Sequence, residues 1–237
     1  MYCTQVQWLD DFVAFTQDCL GGREREALYT RGVTDEQIDL YQLGYIDAHL
    51  PEGKYPQDFL EWWTNHNWQL DDCFVLPLTT TLGHTLGIQV RHVDRARKGY
   101  LDYYASDEEA ALFGLGQAMP AVWETGDIWL VEGGFDVFPL QRHLSNVTAT
   151  LHAGIGNDFW RVLKRVASRV YLAYDSDGAG RKASYDIVRG DHAKDFDFKI
   201  VKFPNVPYKG GKMTTDPSEL WDVWGDKRLG VFLSQSH

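Results

Sequence analysis

Cysteine is scarce in this chain. Only Cys3, Cys19 and Cys73 occur among 237 residues, far apart and with no Cys-x-x-Cys pair. No zinc ribbon is expected from that pattern, and scattered unpaired thiols fit a reducing compartment. Long apolar runs are missing too, and none approaches the ~20 residues that a membrane-spanning helix needs. The opening Met1-Tyr2-Cys3-Thr4-Gln5 has no basic segment ahead of an apolar one, so no signal peptide is expected and the predicted location is the cytoplasm. Basic residues are sparse at the front, with only four of 23 before position 90. A net charge of −11 argues against sequence-blind binding of DNA by the whole surface. The distribution is uneven, however. Arg91, Arg95, Arg97 and Lys98 crowd one short segment, and more basic residues follow between Arg161 and Lys212. A local basic track on an acidic body is compatible with that spacing, as are ordinary solvated loop and helix charges.

Composition is that of a folded protein, 44% apolar and 24% charged, with nine tryptophans that call for a packed interior. The length suits one large domain or two small ones. Apolar spacing predicts helices over 5–20, 23–30 and 59–68, and a helix from Thr34, where Gln37 completes a capping box. Residues 73–78 and 85–91 read as strands, and 94–118 have no clean period. From Asp127 the order becomes strand, helix, strand, helix: strands at 127–131, 147–151, 169–174 and 198–203, and helices at 135–143, 157–167 and 179–188. Asn157 is expected to cap one of these helices. Pro217 opens a last helix with Asp216 as its cap. Such alternation implies βαβ units and a parallel sheet. The change of architecture near 125 divides a mixed α+β lobe, 1–125, from an α/β lobe, 126–237.

Two acidic signals follow strand-like runs: Val131-Glu132-Gly133-Gly134-Phe135-Asp136, and Tyr174-Asp175-Ser176-Asp177-Gly178-Ala179-Gly180. A parallel sheet gathers such positions at one edge, where open α/β sheets bind ligands. Mg²⁺ prefers hard oxygen ligands and is often held by one or two carboxylates plus phosphates. If the chain stays extended, Asp175 and Asp177 face the same way. The alternative is a turn with a helix cap. Trp62, Trp63 and Trp68 are expected in the core rather than stacked on bases, and His152 as a structural histidine.

These signals resemble a Toprim domain, shared by topoisomerases and primases, with Thr215-Asp216-Pro217-Ser218-Glu219 similar to its later acidic element, where Ser218 replaces the usual second aspartate. Further residues resemble the bacterial-type DNA primase catalytic core. They are Tyr29-Thr30-Arg31-Gly32-Val33-Thr34 through Leu43-Gly44-Tyr45, Phe74-Val75-Leu76-Pro77-Leu78, Leu86-Gly87-Ile88-Gln89-Val90-Arg91, and Lys98-Gly99-Tyr100-Leu101 with Leu112-Phe113-Gly114-Leu115. The resemblance implies a Toprim-like parallel sheet flanked by helices, with the mixed lobe before it. It implies a core without the zinc-binding and helicase-docking domains, and Glu108-Glu109 stands where a basic segment is usual. The implied activity is template-directed synthesis of RNA primers on single-stranded DNA from nucleoside triphosphates. Glu132, Asp175, Asp177 and Asp216 are the implied catalytic residues. With Glu219 they are also the implied ligands of Mg²⁺, or Mn²⁺ in its place. Arg91, Lys98 and Lys182 are the implied contacts to nucleotide or template, and a replicative helicase is a candidate partner. Two other readings use the same fold: a metal-dependent Toprim nuclease, and a non-catalytic nucleic-acid-binding or replisome protein.

Overall fold

Internal packing in the computed structural model, which describes residues 2–97, 99–106, 110–151 and 156–235, divides the chain into two units, Met1–Ala111 and Leu112–His237. The division falls ahead of the change expected at 125. Residues 112–125 pack with the later strands: Phe113 pairs with Ala149, and the Thr148 hydroxyl donates to the Phe113 carbonyl at 2.9 Å.

The first unit opens with three helices, α1 (Tyr2–Asp18), α2 (Gly22–Tyr29) and α3 (Asp35–Leu40). The Thr34 capping box is formed: its hydroxyl accepts from the Gln37 amide, and the Gln37 side chain accepts from the Thr34 amide. A fourth helix, α4 (Gln57–His66), precedes a short 3₁₀ turn, Asn67–Gln69. Strands β1 (Gly44–Ile46), β2 (Cys73–Thr79), β3 (Thr85–His92) and β4 (Tyr100–Tyr104) pair antiparallel in that order. Trp8, Leu9, Phe12 and Val13 give α1 one buried stripe, and Phe59 and Trp63 give α4 another. They meet in an aromatic cluster, with Phe59 at 4.7 Å from Trp8, 5.4 Å from Phe12 and 4.9 Å from Tyr103. Burying such a ring contributes about 1.5–3 kcal/mol. Trp63 is in the core as expected and Trp62 packs against it, but Trp68 lies beyond α4 and stays 74% exposed.

The second unit contains β5 (Leu112–Phe113), α5 (Leu115–Thr125), β6 (Asp127–Val131), α6 (Val137–Gln141), β7 (Val147–Ala149) and α7 (Asn157–Leu163). These are followed by β8 (Arg169–Leu172), α8 (Gly178–Arg189), β9 (Asp197–Ile200) and α9 (Pro217–Ser234). Strand order is β5-β7-β6-β8-β9, parallel except for β5. Trp129 of β6 and Tyr171 of β8 stack at 4.5 Å and 8° on one face of the sheet. This is the α/β architecture expected from the alternation, with several elements shorter than expected: α6 ends at Gln141, α7 at Leu163 and β8 at Leu172. Gly156, not Asn157, is the N-cap of α7, because the Asn157 side-chain oxygen meets the His192 ring instead. Among the described residues no helix is long and apolar enough to cross a membrane.

Candidate active site

Parallel pairing points the C-terminal ends of β6, β8 and β9 in one direction, so residues just past those ends share an edge. Glu132 follows β6 directly. Asp175 lies three residues past β8, and Asp216 caps the helix that follows the loop from β9. The turns after the strands are fixed by close backbone approach. A Cβ on Gly133 would sit 2.6 Å from the Asp136 carboxylate, and one on Gly180 would sit 2.3 Å from the Asp175 carbonyl oxygen. Only glycine lets α8 start this near the Asp175 backbone. The Ser176 amide donates to the Thr215 carbonyl at 2.6 Å, tying the Asp175 turn to the Asp216 segment.

Asp175 and Asp177 do not share a strand face. β8 ends at Leu172, the chain turns, and Asp177 becomes the N-cap of α8, its Oδ1 accepting from the Gly180 amide at 2.8 Å. The turn-and-cap geometry is therefore correct for Asp177, which nonetheless stays close enough to Glu132 to raise its pKa. Asp216 is likewise a cap, its Oδ1 accepting from the Glu219 amide at 2.7 Å, with Pro217 in the first turn as expected. Glu219 turns back: one carboxylate oxygen accepts from the Thr215 amide at 2.8 Å and the Thr215 hydroxyl at 3.2 Å.

Asp136 belongs to this group although it was not among the residues selected from sequence. It is buried, and its Oδ1 accepts from the Ser218 amide at 3.2 Å and the Ser218 hydroxyl at 2.8 Å. Ser218, standing where the resemblance calls for an aspartate, is thus a donor that orients Asp136. The available signal was Asp136 four residues after Glu132, in the same turn.

Electrostatics bind the set together. Burial, then Asp136, Asp216, Glu132 and Asp177, pushes the Asp175 carboxyl far above its ordinary value. Burial and Asp136 push Asp216 up, against the opposing hydrogen bond from the Glu219 amide. Burial, Asp177 and Asp136 raise Glu132. One oxygen each of Glu132 and Asp175 is buried with no hydrogen-bond partner. Repelling carboxylates with unpartnered oxygens fit a hard divalent cation. Among the described residues no three His, Cys, Asp or Glu side chains are already closed around one point.

Lys182 is on the exposed side of α8, its ammonium 2.6 Å from Asp186. Arg91 is on β3, its guanidinium 5.6 Å from the Tyr100 ring centre, and the Arg95 side chain donates to the Thr30 carbonyl. Lys98 and His152 lie outside the described residues.

Residues 129–218 match the Toprim-like family. The C-terminal unit carries a Toprim domain. The glutamate after β6 and the aspartates after β8 lie within the matched segment. Toprim primases are in general metal-dependent. Around the Toprim domain, the chain is similar to the DNA primase of Lactococcus lactis, 27% identical over 237 residues, which covers 90% of this chain and 35% of the relative. It superposes on a DnaG catalytic core with a TM-score of 0.77 at 20% identity, covering 98% of this chain and 80% of that one. It also superposes on a DnaG primase catalytic domain bound to single-stranded DNA, with a TM-score of 0.72 at 22% identity, covering 98% and 78%. The fold is that of the primase catalytic core. The chain spans 35% and 37% of the first two curated relatives it matches.

Proposed function

We propose that this chain is a primase catalytic core that copies single-stranded DNA into short RNA primers by metal-dependent nucleotidyl transfer. One observation carries the reading: Glu132, Asp136, Asp175, Asp177 and Asp216, from three separate segments, crowd one sheet edge, where burial and neighbouring carboxylates raise the affinity of Glu132, Asp175 and Asp216 for protons. Relatedness to DNA primases and a shared fold with a primase domain bound to single-stranded DNA support it. Glu132 and Asp175, with their unpartnered oxygens, are the first ligands of Mg²⁺ or Mn²⁺. Asp177 and Asp216 add charge while capping their helices, and Asp136 sets the shape of the group. When bound, the cation lowers the pKa of the attacking 3′-hydroxyl and stabilises charge on the leaving pyrophosphate. Glu219 orients the start of α9, its amide donating to Asp216 and its carboxylate accepting from Thr215, rather than holding metal. Arg91 and Lys98 of the N-terminal unit contact the triphosphate or template, for which an arginine fork suits phosphate oxygens. Lys182 is left out, being paired with Asp186. The setting is the cytoplasm, with a replicative helicase or another replisome protein as partner.

The test is Asp175→Ala with single-stranded template, nucleoside triphosphates and Mg²⁺, products resolved on a gel. The wild type makes primers and the variant does not, while both bind the template. Undiminished synthesis by the variant refutes the mechanism. Fragments of labelled DNA formed with Mg²⁺ and no nucleotides identify a nuclease instead.

A further inference from the structure

The N-terminal unit holds eight basic and nineteen acidic residues, and four of the eight are Arg91, Arg95, Arg97 and Lys98. At that one basic stretch the unit also opens a cavity of about 370 Å³, lined by Trp68, Val90, His92, Arg97, Tyr100 and Leu101 among others. The volume falls at the small end of the ~300–1,000 Å³ typical of ligand sites. Two of its aromatic side chains face water to an unusual degree, Trp68 at 74% exposed and Tyr100 at 43%. The Arg91 guanidinium lies 5.6 Å from the Tyr100 ring centre, and the Arg97 guanidinium lies against the His92 ring.

The wall of this cavity is fixed from behind. Buried Arg31 donates to the carbonyls of His92 at 3.0 Å and Val93 at 2.8 Å. Arg95 donates to the Thr30 carbonyl at 2.7 Å, and the Val93 amide to the Asp72 carbonyl at 2.9 Å. Two arginines are thus spent on holding the segment that carries His92 and Arg97. Exposed rings beside cations, on a pre-set wall, form a stacking platform for bases whose faces are uncovered. Bases of a duplex have their faces covered by their neighbours.

We propose that this cavity is a stacking subsite for an unpaired nucleobase of single-stranded DNA, with Trp68 and Tyr100 contacting the base and Arg97 the adjoining phosphate. The choice of strand rests on the primase reading, which it deepens by assigning where template outside the acidic edge is gripped.

The experiment measures fluorescence anisotropy of a labelled oligothymidylate with the full chain. Trp68→Ala and Tyr100→Ala each weaken binding by about ten-fold, the size of one lost base–aromatic stack. Trp68→Phe recovers most of the loss. Trp123→Ala removes a tryptophan that is 56% exposed in the other unit and leaves affinity unchanged. Arg97→Gln lowers the slope of log affinity against log salt by about 0.7, the value for one phosphate contact on a single strand. Affinity of Trp68→Ala within two-fold of wild type overturns the subsite, as does an equal loss on duplex DNA. If wild type makes primers while Trp68→Ala binds normally, only the subsite falls. If wild type makes no primers but grips the strand through Trp68, only the polymerase reading falls. If wild type does not bind the strand, both fall.

Discussion

Replacing Asp175 with asparagine is expected to stabilise the metal-free protein and weaken its response to Mg²⁺. The side chain keeps its shape and loses a charge that burial and four neighbouring carboxylates oppose. In the folded chain the carboxyl is pushed from 3.8 up to about 9. A carboxyl with a raised folded pKa contributes stability that is fully present below about pH 3.8 and lost as pH rises through the folded value. At pH 7.5, taking up a proton against the unfolded preference sets an upper bound of about 5 kcal/mol on the native-state cost, at 1.36 kcal/mol per pH unit. Asparagine removes the share due to Asp175 itself and leaves Glu132, Asp136, Asp177 and Asp216 facing one another. A gain of about 2 kcal/mol is expected, which for a unit of this size is about 5–8 °C in Tm. Thermal melting in chelator at pH 7.5 measures it, and the gain should vanish near pH 4. In millimolar Mg²⁺ the order changes: wild type gains more than the variant, because ligand binding to the native state stabilises it. A variant that melts below wild type in chelator, or gains as much from Mg²⁺, refutes the electrostatic account of this edge.

Two further tests separate roles that share a residue. Asp177→Asn keeps the cap on α8 and loses the charge, whereas Asp177→Ala loses both. The alanine variant is expected to be about 1 kcal/mol less stable than the asparagine variant in urea titration, while both fall equally in primer synthesis. Arg31→Met leaves the His92 and Val93 carbonyls without their donor and removes a guanidinium 5.5 Å from the Phe74 ring centre. A loss of about 2 kcal/mol is expected in urea titration, and an unchanged midpoint would show that the 92–97 segment holds itself.

What was legible in the residue order was what depends on neighbours in the chain. The apolar run Ile128 to Val131, the glycines after Asp177, and Asp216 before Pro217 each carry their own local instruction, and the strand, the tight turn and the helix start followed. The primase-like order of elements was legible for the same reason. Asp136 was missed because its one local signal, a place four residues after Glu132, does not separate it from any acidic residue in a short helical turn. Its place is set by Ser218, 82 residues away. The expectation that Asp175 and Asp177 face one way required an extended chain as far as Asp177, five residues beyond the end of β8. Strand β4 is half exposed, so its tyrosines and charges show no clean alternation, and only its pairing with β3 reveals it. Helix α5 contains Pro120 and begins at left-handed Gly114, both of which mask a helical period. Trp68 was assigned to the core by its proximity to Trp62 and Trp63, but the 3₁₀ turn after α4 rotates it out of that stripe.

Two helices, α8 and α9, begin at the crowded acidic edge, and each begins on one of its aspartates. The amino end of a helix carries partial positive charge, worth about 0.3–1 kcal/mol to an adjacent anion. The protein therefore brings a built-in counter-charge to the place where its own carboxylates repel most strongly. That counter-charge offsets part of the repulsion the edge meets before any cation is bound.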